Sequence, residues 1–513
     1  MNQYIASVDV GTTGTRCALI DLGGKIIASE YCEYGAVYLK PGWVEQDADE
    51  MIAVAMQVCK ATVAKSGIQP EQVAAIGFST QRSVTVPVYK DGNKVRLALS
   101  WQDSRTGAEV ADMLKLIDAE EYYQTSGMPM GTTWNVTKML WMRKNEPELY
   151  RKTYKFVQLQ DAVLHAFGAD DFYTDMGDMA FYGIWDVGKL EFSQKLCRLF
   201  DVPPDLFGKP TACGTQVARV TSRIAEKTGF AVGTPICMGG GDQNCAAVGM
   251  GSARSGMATA SLGTGGLVMV SLDRRIPGFG GLMVTNHAAP GMWEMEALSN
   301  AAAGAYRWFR DVVGTAEKQM EGETGRNAYD ALNDLAAAAQ PGSKGLLFMP
   351  YLGSAATPRW NANARASFIG MAFTHGRAEI TRAIMEGVAL EVRDMLEGWF
   401  KAGVDITSLR LGGGATKSSL WNQIQADVYG RPVETLKTSE TAVLGAAILA
   451  GVGAGIFQSV QEGVAQMVKV KERVEPNLKN HAIYEEMYKA YVYAYEGLAS
   501  SGAYDQLARI QAE

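Results

Sequence analysis

The sequence predicts an α/β protein built as two domains in tandem. Three observations carry that expectation. The chain has 513 residues, more than one hydrophobic core accommodates. An apolar run, a Gly/Thr turn and a second apolar run occupy residues 4–20 and recur at 258–270, about 250 residues on. Apolar strands also run into glycine turns that open helices, at 232–249 and again at 409–429.

Taken in order, residues 4–8 and 17–20 flank the turn Asp9-Val10-Gly11-Thr12-Thr13-Gly14 and read as a hairpin. Gly23-Gly24 turns the chain into a strand at 25–34, and 42–47 reads as a loop ending in an acidic helix start. Residues 48–66 have helical periodicity, stopped by Gly67. A buried strand at 73–79 delivers Thr80-Gln81-Arg82-Ser83 at its end. Strands at 84–90 and 97–100 follow, the second delivering Trp101-Gln102-Asp103-Ser104-Arg105. In open α/β sheets ligands bind beyond such strand ends. Helices are expected at 108–125 and 138–152, and short helices and turns over 156–235. The strand at 232–238 enters Gly239-Gly240-Gly241-Asp242-Gln243-Asn244, with a helix beginning behind it. In the second half, helices are expected at 298–313, 379–401, 420–429 and 442–455. The last is rich in small residues and suited to close packing. A strand ends at 346–351, 359–365 is a polar loop, and 412–418 forms a third glycine turn. The domain boundary is expected near 245–257, and a charged helical tail beyond 470.

A net charge of −7 gives no electrostatic footprint for nucleic acid and disfavours anionic membranes. Seven scattered cysteines without a CxxC pair read as reduced thiols of a cytoplasmic protein. Four histidines, none at ligand spacing, argue against structural zinc. No apolar stretch is long enough to span a bilayer, and the chain opens directly into a strand rather than a signal peptide.

The glycines of the first turn allow a close backbone approach that frees N–H groups for an anion. Its hydroxyls add phosphate donors, and Asp9 offers a carboxylate to a divalent metal. Asp242 stands at a helix start. An N-cap role alone would suit it, yet a cap does not need three glycines before it. Glycine turns plus one acid are what phosphoryl transfer from ATP requires, since catalysis there is positioning, charge neutralisation and one base. No Walker A motif, protein-kinase signature or GxGxxG after the first strand is present. That leaves a nucleotide site of hairpins and helix N-termini, as in the actin-like ATPase architecture.

The chain resembles the FGGY family of carbohydrate kinases, within the sugar kinase/Hsp70/actin superfamily. The most diagnostic stretch is Ala366-Ser367-Phe368-Ile369-Gly370-Met371 followed by Glu379-Ile380-Thr381-Arg382-Ala383-Ile384-Met385-Glu386. Asp9-Val10-Gly11-Thr12-Thr13, Gly240-Gly241-Asp242-Gln243, Gly263-Thr264-Gly265 and Gly413-Gly414-Ala415 join it in family order. Of the N-terminal signature, Lys138-Met139-Leu140-Trp141 fits and Asn135 departs. The resemblance implies two ribonuclease-H-like domains around a cleft: 1–250, holding the sugar and the phosphate hairpin; 251–470, holding the nucleotide; and a helical tail, 471–513. It implies Asp242 as catalytic base, kept ionised by its helix start, and Asp9 at Mg²⁺. It implies Gln81, Arg82, Trp101, Asp103, Asp242 and Gln243 at the sugar. Thr12, Thr13, Arg16, Gly263, Thr264, Gly413, Gly414, Ala415 and Ser418 would hold ATP, with Ser418 standing where some members carry Asn. A homodimer is a further implication.

The family pattern divides over substrate. Glycerol kinases carry Gln-Arg-Glu where this chain has Gln81-Arg82-Ser83, which disfavours glycerol. Xylulokinases carry Met-His there, also absent. Yet 101–105 and 347–352 resemble xylulokinases, while 307–311 and 451–457 are shared with autoinducer kinases. A ketopentose such as D-xylulose ranks first. Another polyol or ketose (glycerol, erythritol, ribulose) or the autoinducer dihydroxypentanedione follows. A non-catalytic actin-like ATPase would not need the polar cluster around Asp242, and a sugar-responsive regulator would need a DNA-binding segment that is not visible.

Overall fold

The computed structural model describes residues 3–512. Two mixed sheets organise them. The first contains β1 (Tyr4–Val10), β2 (Gly14–Asp21), β3 (Ile26–Glu33), β4 (Val73–Thr80), β5 (Gln216–Arg219) and β6 (Pro235–Gly241), in the order β5-β6-β4-β1-β2-β3. The second contains β7 (Met257–Leu262), β8 (Gly266–Leu272), β9 (Met283–Asn286), β10 (Trp293–Ser299), β11 (Ser408–Gly412), β12 (Val433–Leu436) and β13 (Val470–Val474), in the order β9-β10-β8-β7-β11-β12-β13. The topology is duplicated. In the first sheet β1, β2 and β3 are antiparallel neighbours, while β4 and β6 continue parallel to β1. In the second, β7, β8 and β10 are antiparallel, and β11 and β12 continue parallel to β7. The recurrent hairpin at 258–270 is therefore the start of a repeated fold.

Five helices matter for the site: α1 (Ala48–Ser66), α2 (Asp242–Gly249), α3 (Arg377–Lys401), α4 (Ser419–Tyr429) and α5 (Thr441–Gly453). Helix α1 starts where the Asp47 side chain accepts from the backbone N–H of Asp49 and Glu50, and stops at Gly67 with φ of 68°. Helix α5 leaves the second sheet and lies against the first. Its backbone comes so close that a Cβ on Gly77 of β4 would fall 2.3 Å from the Ala446 carbonyl oxygen. Ile5, Ala18, Ala75, Cys245, Val443, Ala446 and Ala450 form an apolar cluster at this junction. Helices at Leu478–Ser500 and Ala503–Ala512 bury Tyr484, Tyr491, Tyr495 and Tyr504 in the core that contains α3.

Several elements depart from expectation, among them β5 within 156–235 and β13 at the start of the tail expected to be helical. Residues 42–47 are not a loop: Trp43–Gln46 is a strand paired with Val37–Lys40 and Ala98–Leu99, its polar Glu45 and Gln46 buried by other polar groups. The helix expected at 298–313 begins at Ala302, because Leu298 and Ser299 complete the ladder of β10 on β8. The helices expected at 108–125 and 138–152 are each two. Asp118 caps a fresh start at Ala119. Pro147, which lacks the N–H to continue a helix, opens a new one.

Candidate functional site

The hairpin turn between β1 and β2 is closed by the Gly11 N–H donating to the Gly14 carbonyl at 3.0 Å. Asp9 is the penultimate residue of β1, paired with Ser79 of β4, and the Ser79 hydroxyl donates to its Oδ1 at 2.7 Å. Burial pushes the Asp9 carboxyl up to about 7; the Ser79 bond opposes this, while Asp242 and Glu440 add to it as like charges. Thr12 accepts from Trp101 Nε1 at 3.1 Å, and its carbonyl accepts from Gln46. Thr13 is exposed at the tip, next to Tyr31. Arg16 lies at the cleft edge, paired with Glu440 at 3.2 Å from the start of α5. Trp101 stands at the rim with 42% of its surface exposed.

Asp242 is the first residue of α2, delivered by β6. Its Oδ1 accepts from the Gln243 N–H at 2.8 Å, and 29% of its side-chain surface remains open. The expectation that the helix start alone holds it ionised needs correction. Burial is the larger influence and raises its pKa; Arg82, with Nε 3.7 Å away, and the Gln243 bonds pull the other way.

The Arg82 guanidinium is held mainly by the second half of the chain. Its Nη1 and Nη2 donate to the two oxygens of Glu296 on β10, each at 2.7 Å, and its guanidinium stacks over Phe181 at 4.5 Å. Gln81 is turned inward, donating to Gln46 at 3.0 Å. Asp103 is not brought to the cleft. Its carboxylate accepts from the Val44 N–H at 2.7 Å and from Arg105, whose guanidinium stacks on Trp43. The sequence placed Asp103 at a strand end, and the ion pair two residues on consumes it. Of the expected sugar-side residues, Trp101 is exposed, Arg82, Asp242 and Gln243 are half-buried, and Gln81 and Asp103 are buried.

The second half holds a cavity of about 560 Å³. Gly263, Thr264, Gly414, Ala415 and Ser418 all line it. Gly413 makes the turn possible: its φ is 78°, and a Cβ there would fall 2.4 Å from the Leu262 carbonyl oxygen. Ser418 caps α4, its hydroxyl accepting from the Trp421 N–H. Tyr306, Asn333 and Lys417 also line the cavity; no chemical motif in the sequence marks the first two. The residues that sequence reasoning missed most plainly are Glu294 and Glu296, both fully buried on β10.

The N-terminal and C-terminal domain models of the FGGY family of carbohydrate kinases match residues 4–249 and 258–454. The chain belongs to the FGGY family of carbohydrate kinases. As an FGGY kinase it is an ATP-dependent carbohydrate phosphotransferase. It is 27% identical to a xylulose kinase of Staphylococcus epidermidis over 497 residues, covering 97% of each chain. It is 30% identical to a glycerol kinase of a Geobacter species over 505 residues, covering 95% of this chain and 97% of the other. In fold, this FGGY kinase superposes on a ligand-bound xylulose kinase from Lactobacillus acidophilus with a TM-score of 0.89 at 24% identity, covering 98% and 100% of the two chains. It superposes on a Plasmodium falciparum glycerol kinase with ADP with a TM-score of 0.84 at 21% identity, covering 96% and 98%. The two-domain, actin-like architecture expected from the sequence is thus the one found.

Proposed function

We propose that this kinase transfers the γ-phosphoryl group of ATP to a ketopentose, with D-xylulose giving xylulose 5-phosphate, and that Asp242 is the general base. The observation that carries the reading is Asp242 itself. Its carboxylate is the first side chain of α2, keeps 29% of its surface open, and lies near enough to Asp9 beside the glycine hairpin to act on it as a like charge. A raised proton affinity suits a base that must take a hydroxyl proton near neutrality. The cavity around Thr264, Gly414, Ala415 and Ser418 is the nucleotide site in this reading, with Thr12, Thr13 and Arg16 on the phosphate side. Asp9 fits a Mg²⁺ ion: its carboxylate is half-buried, its proton affinity is raised, and Asp242 is a like-charged neighbour that a cation would offset. Mg²⁺ would supply charge neutralisation on the transferred phosphoryl group.

A ketopentose is favoured over glycerol by position 83. Ser83 adopts φ of 59° and its hydroxyl donates to the Thr133 carbonyl, so no acid is offered to vicinal hydroxyls there. Seven free thiols support a reducing, cytoplasmic location, and a homodimer belongs to the same proposal. Light scattering checks the dimer. The substrate is tested by following ADP release with D-xylulose, ribulose, erythritol, glycerol and dihydroxypentanedione. Highest kcat/KM with D-xylulose is expected, and preference for a three-carbon polyol refutes the assignment. Asp242→Asn is expected to lower kcat by about 10²–10⁴ while sugar still binds. Full turnover in that variant removes Asp242 as the base.

A further inference from the structure

Strand β10 carries Glu294 and Glu296 two residues apart, so both side chains leave one face of the second sheet. That face meets the first half, and each carboxylate grips a residue beside the base. Glu296 takes both terminal nitrogens of Arg82, two residues beyond the end of β4, at 2.7 Å each. The Thr285 hydroxyl adds a donor to Glu296 at 3.2 Å. Glu294 accepts from Nδ2 of Asn244, two residues after Asp242 on α2. Asn244 Oδ1 in turn accepts from Arg82 Nη1 at 3.4 Å, which joins the two grips. Both glutamates are fully buried and come from the opposite half of the molecule.

The arrangement leaves the Nε–H of Arg82 outside the clamp. Its Nε stands 3.7 Å from Asp242 Oδ1, beyond hydrogen-bond distance. An arginine released beside a carboxylate closes onto it as a bidentate pair, the strongest geometry it has. Here that pair would occupy the oxygens that must receive the acceptor's proton. Two buried glutamates are also an expensive way to fill space, since desolvating a carboxylate is repaid only by close, well-formed partners.

We propose that Glu296 is a positioning residue for phosphoryl transfer: by clamping the fork of Arg82 it holds that arginine off Asp242 and leaves the base free for the acceptor hydroxyl. Arg82 then acts on the reaction through Asp242. Because the clamp comes from the second half, the base is set only when both halves are in register. The inference rests on Asp242 being the base.

The test compares Glu296→Gln, Arg82→Lys and the double variant, with the best acceptor of the sugar panel. Glutamine keeps the shape and loses the charge and one acceptor. The expected result for Glu296→Gln is at least a tenfold fall in kcat with the KM values for sugar and ATP within threefold. Lysine has no fork to clamp, so adding Glu296→Gln to Arg82→Lys is expected to change kcat by less than twofold. A rise in sugar KM with kcat unchanged would make Arg82 a sugar ligand and overturn the inference. Equal losses from Glu296→Gln in both backgrounds would overturn it too. If Glu296→Gln does not fold, Glu296→Asp, which keeps the charge but shortens the reach, is measured for the same split. Asp242→Asn run in parallel separates the two claims. Turnover in that variant fails the base, whereas an inactive Asp242→Asn beside a fully active Glu296→Gln fails only the clamp.

Discussion

Replacing Gly445 by alanine should damage catalysis from a position with no place in the site. Gly445 lies on α5, where α5 crosses α2. A Cβ built on it falls 1.8 Å from the Cys245 carbonyl oxygen, three residues beyond Asp242. Real Cβ atoms essentially never approach within 3.0 Å, so the two helices must part by about 1.2 Å. The obstructing atom is backbone, and no rotamer relieves it. Overpacking of this kind costs about 1–3 kcal/mol. The better helix propensity of alanine returns up to about 1 kcal/mol, so the net loss is roughly 1–2 kcal/mol. The kinetic effect is larger. A misplacement of about 1 Å at a reacting group costs on the order of 100-fold. The assay is ADP release under saturating ATP and sugar, with thermal unfolding in parallel. Gly497→Ala provides the control. Gly497 is exposed on a helix with no heavy atom within 4 Å of the added Cβ, so the same chemical change should stabilise by about 0.5–1 kcal/mol and leave turnover alone. If Gly445→Ala matches the parent in both rate and stability, the packing argument is wrong.

Three further outcomes are expected. The kcat/KM of the enzyme should fall as pH drops through the pKa of Asp242, at a pH above the ordinary carboxylate range because burial raises it; Arg82 opposes that shift, so Arg82→Gln should move the acid limb upward. Gly413→Ala should raise the KM for ATP about tenfold or more, since the new side chain meets both a left-handed backbone and the Leu262 carbonyl, while sugar binding measured calorimetrically stays intact. Lys138 is fully buried, with Nζ donating to the carbonyls of Ser83 and Ser100, and burial holds its pKa down to about 7. Its unfolded form binds a proton that the folded form lacks between about pH 7 and 10.5, so stability rises with pH across that window; Lys138→Met should flatten that rise in urea melts.

Much of this was legible because the informative signals are local. A strand, a glycine turn and a second strand can be read from a dozen residues, and the helix bounds at 48–66 fell to a cap and a terminal glycine. Asp103 shows where locality misleads. It stands beyond a strand as a ligand should, yet it is satisfied by Arg105 two residues on and by the Val44 N–H, far away in sequence. Glu296 shows the converse. Its partner Arg82 is 214 positions away, and β10 buries glutamates on a face that hydropathy would assign to solvent. Strand alternation reports which residues share a face. It does not report that a carboxylate on that face will find a guanidinium from another sheet.

The ion pair between Arg16 and Glu440 has a consequence for nucleotide binding. If Arg16 serves the phosphates, an incoming nucleotide is a competitor: it must displace a carboxylate that already occupies the same guanidinium. Both side chains are about a third exposed, 33% and 38%, so the pair is solvent-screened and worth only about 0–1 kcal/mol. The exchange therefore weakens nucleotide affinity by no more than roughly fivefold. In return, Arg16 itself is not left as a bare cation while no nucleotide is bound.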